Sequence, residues 1–187
     1  EIVSSRAFSE RITEFTHMQQ AVSEYVHRAS EKLRSQSSKA KQLTVFIRTS
    51  PFSNHSQDPF YSNSATGLLI SPTDDTRDFL HLADELLKKI WKEGYRYAKA
   101  GVMLADFYDE GIEQLQLFTD TSDGDANKAA PVYRSNPALM AVLDEINHSG
   151  EAKVYFAAKG LQQDWAMKRQ LLSPAYTTKW AEIPKAN

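Results

Sequence analysis

Two apolar stripes at helical spacing, each bracketed by segments of strand character, constrain this chain more than any other feature. Phe15, Met18, Val22, Tyr25, Val26, Ala29 and Leu33 recur at three- and four-residue steps, as do Phe79, Leu80, Ala83, Leu86, Leu87, Ile90 and Trp91. Each set predicts an amphipathic helix that needs a surface to cover. Ile2 to Phe8 reads as a strand, and Arg11-Ile12-Thr13 leads into the first helix with Thr13 as its N-cap. Beyond a polar break from Ser35 to Lys41, Leu43, Val45 and Ile47 alternate with Thr44, Phe46 and Arg48, the period-two mark of a strand with one buried face. Phe46, Arg48 and Ser50 fall on its other face. A Pro/Ser/Asn loop from Pro51 to Pro59 returns the chain into a strand between Phe60 and Ile70. Pro72-Thr73-Asp74-Asp75-Thr76 opens the second helix, Gly94 ends it as a C′ glycine, and Tyr95 to Leu104 supplies a fourth strand. The order βαββαβ is the split βαβ arrangement of an α+β domain: a four-stranded sheet with two helices on one face and the other face open.

The remaining residues divide the chain further. Residues 1–110 form the domain, 111–136 hold a short peptide motif and a linker, small, acidic and Ala/Ser-rich from Thr119 to Asn136, and 137–187 form a small C-terminal α/β extension. In that extension Asn136-Pro137 caps and starts a helix through Leu139, Met140, Leu143 and Ile146, stopped by His148-Ser149-Gly150. Lys153 to Ala157 reads as a short strand, followed by an aromatic and basic run with Trp165, Lys168, Arg169, Tyr176, Lys179 and Trp180. Net charge is −2, but its distribution is uneven. Residues 1–52 carry eight Lys/Arg against five acids, and from Asp106 onward there are eight bases and twelve acids. One face of a mildly basic body could meet phosphates while an acidic tail stays clear. The 41% hydrophobic share can build a core, and no apolar run approaches the about 18 residues of a membrane helix. The absence of cysteine excludes disulfides and thiol catalysis and suits a reducing, cytoplasmic setting. An opening Glu1 in place of Met leads to the expectation of a piece of a longer protein.

Several catalytic readings lack their residues. His17, His27, His55, His81 and His148 are scattered, with no pair at metal-ligand spacing, and no GxxxxGK[ST], GxGxxG or GxSxG occurs. The Asp74-Asp75 pair stands just ahead of a helix, where carboxylates cap free amides and complement the dipole; holding Mg²⁺ is the alternative. No acid cluster of the two-metal type is present, so the chain itself is expected not to be an enzyme.

Ser4-Ser5-Arg6-Ala7-Phe8, Phe46-Ile47-Arg48-Thr49-Ser50-Pro51-Phe52, Pro72-Thr73-Asp74-Asp75-Thr76-Arg77 and Tyr97-Ala98-Lys99-Ala100-Gly101 stand in an order and spacing that resembles one family. So do Ile146-Asn147-His148-Ser149-Gly150 and Leu171-Leu172-Ser173-Pro174-Ala175-Tyr176-Thr177-Thr178. Together they resemble the C-terminal region of the UmuC, MucB, ImpB and SamB group of Y-family translesion DNA polymerases, of which DNA polymerase V is the type. The resemblance covers nearly the whole chain. It implies a little finger domain whose open sheet face lies along DNA, with Ser4, Ser5, Arg6, Arg48, Thr49, Ser50 and Lys99 meeting phosphates. Backbone contacts carry no sequence information, which suits an enzyme that copies damaged templates in SOS mutagenesis. The catalytic palm and its Mg²⁺ would lie N-terminal to Glu1, leaving no cofactor in this fragment. Gln114, Leu115, Gln116, Leu117 and Phe118 resemble the QLxLF peptide that docks on the bacterial sliding clamp, a glutamine amide at the rim and two apolar side chains in a pocket. Processed UmuD and the recombinase filament are further implied partners, with no membrane.

Two other readings compete. An RNA-recognition module shares the strand and helix order but requires K/R-G-F/Y-G/A-F-V-x-F/Y, which is missing. A protein-docking role is the other, carried by the run from Trp165 to Trp180.

Overall fold

The computed structural model describes residues 1–52, 59–109, 136–150, 152–160 and 165–166. Its elements are β1 (Ile2–Ile12), α1 (Phe15–Ser35), β2 (Ser38–Thr49), β3 (Ser62–Thr73), α2 (Thr76–Ile90), β4 (Tyr97–Asp109) and α3 (Pro137–Ser149), followed by a 3-10 turn at Ala157–Lys159. The strands form one sheet in the order β1-β4-β2-β3, every neighbouring pair antiparallel. This is the expected α+β fold, with β4 and β2 central and β1 and β3 at the edges. No described helix is long and apolar enough to cross a membrane.

The core lies between the sheet and the two long helices. Leu43, Val45 and Ile47 of β2 and Ala100, Val102 and Leu104 of β4 are fully buried against Met18, Val26, Ala29 and Leu33 of α1 and Phe79, Leu86 and Leu87 of α2. Both predicted helical stripes are therefore the buried faces. Phe15 at the start of α1 stacks edge-on against Trp91 after α2 (5.6 Å), and Trp91, Tyr97, Tyr95 and Tyr61 continue that aromatic layer. The Tyr61 hydroxyl donates to the Ile90 carbonyl (2.7 Å), satisfying an acceptor that the end of α2 leaves open.

Several boundaries differ from the sequence reading for local reasons. The N-cap of α1 is Glu14, in extended backbone and without a side-chain cap, because β1 continues through Thr13's neighbour Ile12, which is buried. The second helix stops with Trp91 as C-cap, and Gly94 takes its positive φ of 83° in the turn beyond. No strand forms over Lys153 to Ala157. Asn147 of α3 instead receives the Val154 amide on Oδ1 (2.8 Å) and donates Nδ2 to the Val154 carbonyl (2.9 Å), so one side chain takes both groups a strand partner would use.

The described residues after β4 pack on the helical layer. Arg34 of α1 makes a bidentate pair with Asp144 of α3 (2.6 and 2.8 Å), and its Nη1 donates to the Asp74 carbonyl and Thr76 Oγ1. Asp75, fully buried, caps α2 through the Arg77 amide, pairs with the Arg77 guanidinium and accepts the Asn136 amide that starts α3. The Asp74-Asp75 pair is thus a capping and docking device. Lys159 pairs with buried Glu24 (2.7 Å), and Trp165 enters the core edge-on to Phe8 and Tyr25.

Candidate nucleic-acid interface

Antiparallel pairing sorts the residues of the sheet face opposite α1 and α2 into transverse rows. Ala7, Lys99, Arg48 and Ser62 form one row across β1, β4, β2 and β3. Ser5, Gly101, Phe46 and Ser64 form the next, and Val3, Met103, Thr44 and Thr66 a third. No carboxylate occurs in these rows. Arg48 and Lys99 stand directly opposite one another on the two central strands, and neither makes an ion pair among the described residues. Two like charges side by side on a sheet repel, so the row is poised to accept an anion.

Gly101 shapes this surface. A Cβ built there would lie 2.3 Å from Ser5 Cβ, 2.5 Å from Phe46 Cζ and 2.9 Å from the Ser4 carbonyl. The Phe46 ring therefore lies across the glycine, toward β1, and the face between the basic row and Met103 stays low. Only a residue without a side chain permits that approach.

The seven residues expected to meet phosphates do not share one face. Ser5, Arg48 and Lys99 lie in the rows of the open face. Ser4 and Arg6 alternate with Ser5 and share the parity of buried Ile2 and Phe8, which turns them toward α1. The charge of Arg6 is felt there. Burial pushes the Tyr25 hydroxyl up to about 12, against the opposing influence of Arg28 and then Arg6. Thr49 is 3% exposed, its Oγ1 accepting the Tyr61 amide (2.9 Å) and so closing the base of the loop between β2 and β3. Ser50 Oγ accepts the Phe52 amide in the first turn of that loop. Ser62 and Ser64 on β3 join the rows and were missed by sequence reasoning. The run Ser62-Asn63-Ser64 at the start of an alternating strand was the available signal. Gln114, Leu115, Gln116, Leu117 and Phe118 lie outside the described residues, as do the linker and most of the run after Trp165. Among the described residues no three metal-ligating side chains come together.

Residues 1–117 match the impB/mucB/samB family C-terminal domain. The chain belongs to that family. Residues 137–186 match a second model, described as a domain of unknown function (DUF4113). Similar proteins of the impB/mucB/samB family include Protein SamB of Salmonella typhimurium, 47% identical over 186 residues, and Protein MucB of Escherichia coli, 46% identical over 186 residues. Protein UmuC of Salmonella typhimurium is 45% identical over 184 residues. These alignments take in 98–100% of this chain and 41% of each relative, so the chain spans about two-fifths of their length and matches their C-terminal parts. A solved complex of the beta-clamp processivity factor and the little finger domain of PolIV is similar at a TM-score of 0.42 and 13% identity, over 62% of this chain and 96% of that one.

Proposed function

We propose that this chain is the DNA-gripping and clamp-tethering part of an error-prone translesion DNA polymerase. The observation that carries the reading is the juxtaposition of Arg48 and Lys99 on the two central strands, near one end of a sheet face whose three transverse rows hold no carboxylate. A phosphate between the two cations removes their mutual repulsion and gains charge-assisted hydrogen bonds. The Ser5, Ser62 and Ser64 hydroxyls supply neutral partners on the flanking strands. Such contacts hold the duplex by its backbone and read no base, as copying of arbitrary or damaged template requires. Membership in a family with SamB, MucB and UmuC supports the assignment to a polymerase. Nucleotidyl transfer and its Mg²⁺ belong, on this reading, to a palm in the parent protein, and this chain contributes no catalytic group.

Gln114 to Phe118 follow the end of β4 by a few residues, and tethering is assigned to this QLQLF peptide. Leu117 and Phe118 in an apolar pocket on the sliding clamp would contribute about 1.5–3 kcal/mol each before the cost of ordering the peptide. Two weak contacts joined on one chain raise the effective concentration of each, so the polymerase is retained at a lesion yet released after a short patch.

Fluorescence anisotropy with a primer-template duplex at graded salt tests the grip. Each phosphate-neutralising side chain adds about −0.9 to the slope of log affinity against log salt. Arg48→Ala and Lys99→Ala should each make the slope shallower by about one, irrespective of sequence. Arg6→Ala, on the helical side, should leave it unchanged. Equal effects of all three substitutions would overturn the assignment of the grip to the open face.

A further inference from the structure

A second site lies on the helical side, independent of the DNA reading. A cleft of about 640 Å³ opens where the last turn of α1, the turn into β2, the residues ahead of α2 and one side of α3 meet. Ser38 at its rim is ten residues from Arg48 along β2, roughly 33 Å at about 3.3 Å per residue, so cleft and basic row are separate places.

Three carboxylates line the cleft, from Glu31, Asp74 and Asp144, against the Arg34 guanidinium and the His148 imidazole. Arg34 and Asp144 neutralise one another through their bidentate pair. Among the described residues Glu31 faces only the His148 ring, and no cation pairs with the Asp74 carboxylate. Asp74 is only 7% exposed, and its Oδ1 is buried with no donor; Arg34 reaches its backbone carbonyl alone. Burying an uncompensated carboxylate is costly.

Glu31 Oε1 faces His148 Nε2 at 3.8 Å. His148 Nδ1 lies 2.7 Å from the Asp144 carbonyl, which can only accept, so Nδ1 donates there and Nε2, whenever the ring is neutral, is an acceptor. Two acceptors at that separation leave room for one shared donor, since a nitrogen about 2.8 Å from each satisfies both. We propose that this cleft binds an organic primary ammonium group, held at the rim by Glu31 and His148 and attracted by Asp74 below. Pro137, Ala138 and Ala141 offer an apolar wall for the methylene stem. A metal ion is the poorer fit, because no three ligating side chains gather among the described residues. An ammonium on a methylene stem is either a lysine side chain of another protein or a free polyamine.

The test titrates the ¹⁵N-labelled full chain in separate arms with spermidine and with an end-blocked Gly-Gly-Lys-Gly-Gly peptide, following the Ser37, Ala138 and Ala141 amides. A saturable shift in either arm is expected, the responsive arm identifying the source. The same peptide with acetylated lysine should give none. Glu31→Gln, whose one described partner is His148, should weaken binding by roughly fivefold to tenfold, the loss of one charge-assisted hydrogen bond. Asp74→Asn should weaken it as well, in a chain whose melting transition is retained. Absence of saturable shifts in both arms at millimolar probe, or undiminished affinity in Glu31→Gln, overturns the proposal.

Discussion

Truncating Trp165 to Ala should unsettle the whole domain, although the residue lies beyond the 1–117 stretch that matches the family domain. Its ring is 6% exposed and packs edge-on to Phe8 of β1 (6.1 Å) and to Tyr25 of α1 (6.2 Å), while its backbone carbonyl accepts the Ser9 amide. Removing a buried tryptophan costs about 3–5 kcal/mol. Part of that is offset, because the indole Nε1 is buried without a partner and its desolvation, about 1–3 kcal/mol, disappears with the ring. A net loss of about 2 kcal/mol follows, and at roughly 2–4 °C per kcal/mol for a chain of this size the melting temperature should fall by about 4–8 °C. Trp165→Phe keeps most of the contact and discards the unpaired N–H, so it should cost less. Circular dichroism melts and urea titrations of both variants measure this. A melting temperature unmoved by Trp165→Ala, or a larger loss in Trp165→Phe, would refute the claim that the C-terminal segment completes the core.

Gly101→Ala should destabilise the domain by about 1–3 kcal/mol in chemical denaturation and weaken duplex binding, since the new methyl meets the Ser4 carbonyl, which cannot move aside, as well as the Phe46 ring. Tyr25 makes stability fall in alkali. Its folded pKa is raised to about 12 from 10, so its contribution is fully present below pH 10 and is lost as pH rises through about 12; Tyr25→Phe should flatten that part of the stability profile. Its hydroxyl has no partner, so the same substitution should not lower stability at pH 7. Leu117→Ala combined with Phe118→Ala should abolish binding to a purified sliding clamp in surface plasmon resonance while leaving duplex affinity and melting temperature unchanged. Unfolding of that double variant would instead make the peptide part of the core.

What the linear order of residues determined was local. A three-to-four-residue apolar period is a property of neighbours in the chain, and both α1 and α2 follow from it without reference to anything distant. The same holds for Asp75 as an N-cap, for Asn136 accepting the Leu139 amide ahead of Pro137, and for Gly150 in the left-handed turn that ends α3. Alternation likewise assigned Arg48 and Phe46 to one face of β2 and Leu43, Val45 and Ile47 to the other. Alternation alone could not say which strand lies alongside, or in what register. That Arg48 meets Lys99, fifty-one residues later in the chain, depends on the pairing of β2 with β4 across the middle of the sheet. On β1 a single step of phase separates Ser5, on the open face, from Ser4 and Arg6, beneath the helices, and a resemblance that spans all three residues cannot divide them. Trp165 read as part of an aromatic and basic run suited to docking a partner and is core, because the pocket that receives it is built from Phe8 and Tyr25, far away in the chain. Lys153 to Ala157 had the composition of a strand, and no described strand lies beside it to complete it. Asn147 took the Val154 backbone groups instead, since a β-segment exists only where its N–H and C=O find partners, and those partners are supplied by the folded molecule.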